Sequence, residues 1–411
     1  LNIYIYNMST NKINILLSDS LRKHNEDIED NILDTFGHWN MKNDYVICNI
    51  DDIQKEKTYY VCYRTYGYPS HDLENKEFEI PLDIINLYKE GYDIKFLLVT
   101  FHESDSPLAI INIKKYANSI GVDEKQFYLF CGNDLIYNLK QQENSNINVY
   151  SNNHIPVGIA RVFEQDGSWG YDTERDCLFQ CYNRAFKSHR VAIVLFLKKE
   201  NLLDKVDYSF LQGYRLKDYY NTENDCIDYF KSSDTPIIHE TENEVYDKEA
   251  EWLYAITIKK SKFENFEFDK NGPQHDLTYK NNLYKHAYIN IVTETQYEWK
   301  DVIHITEKST QPLWFYQIPI ILATHGHIKR MREKFEFDWF DDVVDHSYDL
   351  EENPSKRFKM IQSEIIRLSK IENEIKDFFK HNFKRFEHNR NVIKKLINDD
   401  SDKNFIKSLA I

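Results

Sequence analysis

A chain of 411 residues is long enough for two ordinary domains, each with its own core. Its 52 Lys and Arg against 67 Asp and Glu leave a formal net charge of −15, which speaks against a long nucleic-acid groove but leaves local basic sites open. No apolar run approaches the roughly 20 residues that cross a bilayer, and the N-terminus lacks the charged-then-apolar layout of a signal peptide, so the expectation is a soluble, cytoplasmic protein without membrane insertion.

In chain order, residues 59–63, 94–100, 126–131 and 147–150 are short apolar or β-prone runs. Residues 107–119, with Leu108, Ile111, Ile113 and Tyr116, have helical character between two of them. Strands separated by helices imply a parallel sheet. The run 94–100 leads into Phe101-His102-Glu103-Ser104-Asp105-Ser106-Pro107, so three ionisable groups crowd one strand end. A cap cluster for the helix at Pro107 is an equal reading of those residues. Gly132-Asn133-Asp134 then punctuates the next strand-to-helix turn.

A second unit of the same kind begins near Asp176. Residues 177–182 are strand-like, 183–188 form a polar turn, and 191–199 are apolar enough for a core-facing helix. From about 202 to 279 the signal weakens to an acidic helix-like stretch at 242–254, to which no function attaches. An apolar strand at 289–292 then ends in Glu294, a helix opens on Thr306-Glu307-Lys308, and a strand at 318–322 runs into His325-Gly326-His327. At the end, Ile361, Ile365, Leu368, Ile371, Ile375, Phe378 and Phe383 recur at three- and four-residue steps, which predicts a long amphipathic helix with one apolar stripe. The six cysteines (Cys48, Cys62, Cys131, Cys177, Cys181, Cys226) are scattered, several in strand-like runs, and read as reduced, buried thiols in a cytosol-like compartment. Cys177 and Cys181 lack a second Cys or His pair that would complete a zinc set.

Two carboxylates and an ammonium, Glu294, Glu307 and Lys308, thus sit where strands end and helices begin. In open α/β sheets ligands bind there, because the crevice at the carboxyl ends of the strands gathers loops and helix N-termini. The Val-Thr-Glu-Thr strand end, the Thr-Glu-Lys helix start, the Pro-containing helix after it and the strand Ile-Pro-Ile-Ile-Leu together resemble the donor-binding signature of fucosyltransferase-like glycosyltransferases, especially viral and phage relatives. Phe340-Asp341-Asp342-Val343-Val344-Asp345-His346-Ser347-Tyr348-Asp349 matches the Asp-x-Ser-Tyr-Asp segment of the same group. The resemblance covers roughly residues 90–350; the first 90 residues add nothing to it.

The resemblance implies an α/β fold of two Rossmann-like domains facing across a cleft, the GT-B type. Residues 1–170 would form the acceptor side, 171–350 the donor-binding domain, and 351–411 a helical segment packed on both. It implies transfer of a sugar from a GDP- or UDP-linked donor to a hydroxyl acceptor, most simply a glycan, with inversion and no cofactor beyond the nucleotide sugar. With an ammonium, two guanidiniums and a helix N-terminus available and no Asp-x-Asp-like carboxylate pair at a strand end, the diphosphate should not require a metal. For a viral protein the compartment would be the host cytoplasm. A phage enzyme glycosylating hydroxymethylated DNA bases would share the fold, with nucleic acid entering only as acceptor. A non-catalytic nucleotide- or glycan-binding module is the alternative of another class, and the joint retention of Arg190, Glu294, Glu307 and Lys308 counts against it.

Sugar transfer needs cations or helix N-termini at the departing diphosphate and a group to take the acceptor proton. The candidate clamp combines Lys308 with Arg184 and Arg190 in Cys-Tyr-Asn-Arg-Ala-Phe-Lys-Ser-His-Arg, where related viral proteins carry an Asn-Arg turn and a His-Arg pair. Asn183 and His189 belong to the same turn. Arginine suits the task because its planar fork holds two phosphate oxygens at once; a solvated surface pair is the plainer reading. Thr293 and Glu294 at the strand end, and Glu307 after its N-cap Thr306, are donor-side residues by resemblance. Carboxylates suit vicinal hydroxyls because each oxygen accepts a hydrogen bond. Glu307 also fits as a first-turn acid favoured by the helix dipole.

The family keeps its proposed base in a loop of Glu-Ser-Pro flavour. Here Asp105-Ser106 intervene before the proline, so Glu103 and Asp105 compete, with His102 next. His325 and His327 lack a third ligand for a metal. Gly326 instead suggests a tight turn that brings backbone N–H groups towards the donor, where relatives carry a Gly-Pro-Gly run. Trp314, Phe315, Tyr316, Trp339 and Phe340 read as core packing rather than as a base-stacking platform.

Overall fold

The computed structural model describes residues 12–18, 44–64, 79–99, 108–151, 171–183, 187–210, 284–398 and 401–409. His102, Glu103, Asp105, Arg184 and Cys226 lie outside them, as does the acidic stretch 242–254. The chain divides into two compact units, Leu1–His154 with Asp399–Ile411, and Ile155–Asn398. Both are α/β units built on a parallel sheet, as the alternation of strand and helix implies.

In the first unit six strands, β1 (Ile13–Leu17), β2 (Tyr45–Asn49), β3 (Thr58–Arg64), β4 (Asp93–Val99), β5 (Phe127–Cys131) and β6 (Asn148–Ser151), lie in the order β2-β1-β3-β4-β5-β6. Every pairing is parallel. Central strands covered on both faces read as near-continuous apolar runs, and Phe96, Leu97, Leu98 and Val99 are accordingly all buried. Helices α1 (Leu82–Lys89), α2 (Ala109–Ile120) and α3 (Ile136–Gln142) connect the later strands. Gly121 ends α2 in the left-handed region at φ +71°, where glycine carries no Cβ penalty.

The second unit holds β7 (Cys177–Asn183), β8 (Val206–Phe210), β9 (Ala287–Thr293) and β10 (Ile318–Leu322), ordered β10-β9-β7-β8 and again all parallel. Helix α4 (Ser188–Lys199) follows β7, α5 (Glu307–Trp314) precedes β10, and α6 (His327–Lys334) follows it. All seven residues of β9 are buried. A chain of amides sets the register on one face: Asn290 Nδ2 donates to Gln317 Oε1 at 2.8 Å, and Gln317 Nε2 donates to Gln180 Oε1 at 3.0 Å. Sliding a strand by one residue would leave these buried groups unpaired, which is how a polar network selects one alignment.

The amphipathic helix expected near the end is α7 (Pro354–Lys370), opened by Asn353 as N-cap and Pro354 at the first turn. The stripe then passes into two further helices, α8 (Glu372–His381) and α9 (Phe383–Ile397), instead of continuing in one. The breaks at Ile371 and Asn382 reset its phase. Ile361, Ile365, Leu368 and Ile375 are buried, but Phe379 and Phe386 take the inward positions expected for Phe378 and Phe383, and Phe383 is 39% exposed. Phe379 stacks on Tyr171 and meets the edge of Tyr288 on β9. The last helix, α10 (Ser401–Ser408), belongs to the first unit, where Phe405 stacks on Tyr150 and Tyr60 Oη donates to the Leu409 carbonyl at 2.7 Å. Trp314, Phe315, Tyr316, Trp339 and Phe340 are core residues. The five described cysteines form no disulfide; Cys62, Cys131, Cys177 and Cys181 are buried as expected, while Cys48, on the edge strand β2, is only partly buried.

Candidate functional site

The candidate site grows from the carboxyl end of β9, the strand flanked by β7 and β10. Thr293 Oγ1 donates to Asn183 Oδ1 at the end of β7 at 2.7 Å, tying two expected site residues together. The next residue, Glu294, donates its N–H to the Leu322 carbonyl of β10 at 2.9 Å. Its carboxylate then reaches 12 residues ahead to the start of α5. Oε2 accepts from Thr306 Oγ1 at 2.6 Å and from the Thr295 N–H at 3.1 Å; Oε1 accepts from Ser309 Oγ and from the Thr306 N–H at 3.4 Å.

Ser309 gives its single proton to Glu294, so the bond between Ser309 Oγ and His327 Nε2, 2.9 Å long, is donated by the histidine. His327 Nε2 also lies 4.0 Å from Glu294 Oε1. Burial alone would push the Glu294 carboxyl up; Lys308, His327 and the two hydroxyls outweigh it and bring its pKa to about 2. Glu294 is therefore ionised at all ordinary pH values, held inside the protein as the counter-charge of a helix start.

Thr306 has a double role. Its hydroxyl donates to Glu294 and accepts the Lys308 N–H at 3.3 Å, which makes it the N-cap that the Thr-Glu-Lys pattern suggested. Lys308 Nζ contacts Glu307 Oε1 at 2.7 Å and Thr306 Oγ1 at 3.4 Å, and its side chain is 32% exposed. An ammonium at a helix N-terminus, open to solvent, is a natural receptor for an anion.

His189 and Arg190, in the first turn of α4, point at the same strand end. His189 Nε2 is 2.8 Å from the Glu294 carbonyl, and Arg190 Nη2 donates to the carbonyls of Thr293 at 3.3 Å and Glu294 at 3.2 Å. Both side chains are buried. Burial, then Arg190, pushes the His189 pKa well below its usual value, so the neutral ring carries its proton on Nε2 and donates it to the carbonyl, which can only accept. Lys187 Nζ, which carries no motif signal of its own, donates to the Thr295 carbonyl at 2.7 Å. Three cationic or polar side chains of the β7–α4 turn thus converge on residues 293–295. The structure brings Asn183, His189, Arg190, Thr293, Glu294, Thr306, Glu307 and Lys308 into one neighbourhood.

Gly326, the turn after β10, adopts φ +75° and donates its N–H to the Asp349 carbonyl at 2.8 Å. The Asp349 carboxylate accepts the N–H groups of Ile328 at 3.0 Å and Lys329 at 2.9 Å. The N–H groups of Gly326, Ile328 and Lys329 are thus committed to the Asp-x-Ser-Tyr-Asp segment, which acts as a strap over β10. Tyr348 Oη accepts the Ile321 N–H, His346 Nε2 lies 3.3 Å from the Pro319 carbonyl, and His346 Nδ1 lies 3.1 Å from Asp341. Together with Arg332, paired to both Asp341 oxygens at 2.6 Å, His346 holds that carboxyl well below the usual range. A cavity of about 400 Å³ opens beside the strap, with Lys329, Arg332, Asp345 and Ser347 in its wall.

Two residues have no sequence signal as site members. Ser309 is one of many helix hydroxyls, and only its place across from Glu294 and His327 singles it out. His304, two residues before the N-cap, is 3% exposed and shares the electrostatic neighbourhood of Glu294, Lys308, Glu307 and His327. Burial is the main reason its pKa falls to about 4. Among the described residues no group of three His, Cys, Asp or Glu side chains could hold a metal ion, and no helix is long and apolar enough to cross a membrane.

No family model and no curated protein matches the chain. Among solved structures it is similar to a trehalose-6-phosphate synthase studied with bisubstrate glycomimetics for glycosyltransfer with retention, at 10% identity over 94% of this chain and 85% of that one, TM-score 0.45. It is also similar to UDP-forming α,α-trehalose-phosphate synthases from Burkholderia xenovorans. One is 12% identical over 87% of this chain and 74% of that one, TM-score 0.37; another, in complex with glucose-6-phosphate, is 10% identical over 92% and 77%, TM-score 0.42. Likenesses at this level decide neither substrate nor mechanism.

Proposed function

We propose that the protein is a glycosyltransferase that moves a sugar from a nucleotide-diphosphate donor to a hydroxyl acceptor, with the donor held where β9 meets α5. The observation that supports this most is Lys308: a partly exposed ammonium on the first turn of α5, behind which a buried, ionised Glu294 anchors the N-cap. Negative charge grows on the diphosphate as the glycosidic bond breaks, and a cation at a helix N-terminus stabilises that charge more than the ground state. The Lys308–Glu307 pair is partly exposed and therefore weakly held, so the ammonium can turn to a phosphate oxygen and leave Glu307 to accept a ribose or sugar hydroxyl. Arg190 and His189 support the site from behind by fixing the carbonyls of residues 293 and 294.

The finer reading follows the motif resemblance. The enzyme is fucosyltransferase-like, of the viral or phage kind, inverting and independent of metal, with a glycan acceptor and with Glu103 as base ahead of Asp105 and His102. A thermal-shift screen against GDP- and UDP-sugars tests the donor, because a ligand bound only to the folded state raises its melting temperature. Transfer to a panel of glycans and hydroxymethylated DNA, with the anomeric product followed by NMR, tests acceptor and stereochemistry. Activity should persist in excess chelator; complete loss that divalent metal restores would exclude metal independence. No stabilisation by any nucleotide sugar would exclude the donor reading itself.

A further inference from the structure

At the start of α5 nearly every polar side chain spends its hydrogen bonds inside the protein. Glu294 accepts four, His327 donates to Ser309, and His189 donates to the Glu294 carbonyl. His304 differs. It is 3% exposed, and neither Nδ1 nor Nε2 has a hydrogen-bond partner among the described residues. Burying a ring N–H and a ring lone pair with neither satisfied is costly, and native interiors rarely tolerate it without a use. The ring lies within electrostatic reach of Glu294, Lys308, Glu307 and His327, so the unused pair belongs to the anion-binding end of α5 and not to a remote part of the core.

We propose that His304 is a ligand-contacting residue that selects for a hydroxyl of the bound nucleotide sugar. This rests on the donor reading above and adds to it the residue that reads the ligand. A neutral imidazole offers one donor and one acceptor, as a hydroxyl does, so the two can satisfy each other completely; a phosphate oxygen, which only accepts, would use half of the ring's capacity. Lys308 is the partner for phosphate and His304 the partner for hydroxyl. Because the ring nitrogens are covered, the hydroxyl reaches them only when the surrounding side chains give way. His304 therefore contributes to the bound complex rather than to the encounter. The inference also moves the hydroxyl contact away from Glu294, whose oxygens are already engaged.

The test measures dissociation constants of GDP-fucose, UDP-glucose, GDP, UDP and inorganic pyrophosphate for the wild type, His304→Phe and His304→Gln. Phenylalanine keeps a ring and removes both nitrogens, so this variant should fold at least as well as the wild type; glutamine restores one donor and one acceptor. Expected is a tenfold or greater loss of nucleotide-sugar affinity in His304→Phe, partial recovery in His304→Gln, and unchanged pyrophosphate binding. Loss for the free diphosphates as well identifies a ribose hydroxyl; loss for the nucleotide sugars alone identifies a sugar hydroxyl. In the wild type, the ¹⁵N resonances of the His304 ring should move on saturation with the nucleotide sugar. If the wild type binds a nucleotide sugar, His304→Phe binds it equally well and the ring resonances stay fixed, then His304 holds at most an internal water and this proposal falls alone. If the wild type binds none of the five ligands, the donor reading falls and takes this one with it.

Discussion

The helix starts that flank β10 are built from the same parts and end up with opposite properties. At α6 the carboxylate of Asp349 sits directly on the N–H groups of Ile328 and Lys329, while its carbonyl takes the Gly326 N–H. The positive end of that helix is neutralised from within. At α5 the carboxylate of Glu294 stands one step back: it holds the cap Thr306 and the first-turn Ser309, and the Lys308 N–H is capped by a neutral hydroxyl. At α5 the partly exposed ammonium of Lys308 is paired only with the side chain of Glu307, for which an anion can be exchanged, whereas at α6 the Asp349 carboxylate already occupies the backbone N–H groups. On the proposed donor reading, the phosphate therefore belongs to the first of these two chemically similar turns.

The largest effect is expected at Lys308. Lys308→Ala should lower sugar transfer by roughly 10² or more while leaving the melting temperature within a few degrees, since the side chain is partly exposed and acts on charge that develops in the transition state. Steady-state kinetics beside a thermal melt decide it: wild-type turnover in the variant removes α5 from the account.

Stability should respond next, at Glu294. Its pKa falls from the ordinary 4.5 in the unfolded chain to about 2 in the fold, so its contribution is fully present above about pH 4.5 and lost as pH falls towards 2. Glu294→Gln should lower stability at neutral pH by about 1–3 kcal/mol, because a charge-assisted network is replaced by an amide that cannot accept all four bonds. It should also flatten the fall in stability between pH 4.5 and 2. Urea unfolding at a series of pH values reads both, and a variant with an unchanged acid limb would show that the network does not carry this linkage.

The smallest effect belongs to the closed turn. Asp349→Ala uncaps α6 and should cost about 1–2 kcal/mol of stability, in the range of other lost helix caps, with kcat/KM for transfer unchanged in the folded fraction. A large loss of transfer at full stability would mean that α6, and not α5, faces the ligand.

Much of this organisation is legible in the residue pattern alone. The strands near 94–100, 126–131, 177–182, 289–292 and 318–322 announce themselves because strands buried on both faces must be apolar, and the N-cap at Thr306 is a local signal with a local cause. Strands β1 and β2 leave no comparable mark, since the runs around Ile13 and Tyr45 are short and β2 is half exposed at the sheet edge. The C-terminal stripe reads as one helix although it is three, because periodicity does not register a one-residue break: Ile371 and Asn382 leave the spacing nearly intact while turning the face.

The amino-acid order therefore dictates the alternation of strand and helix, the parallel sheets that follow from it, and the residue types gathered at the strand ends. Which of those residues face one another is settled at the level of the folded chain. Arg190 meets Thr293 across 103 residues, Asp349 meets Ile328 across 21, and Glu294, Ser309 and His327 form one chain from three elements, leaving His304 beside them with none of the described residues hydrogen-bonded to its ring. The difference lies in the range of the forces. Burial and backbone preference act over a few neighbours and leave a periodic trace in the sequence, whereas a hydrogen bond between side chains acts only at contact, and contact is set by how the sheet brings distant segments together.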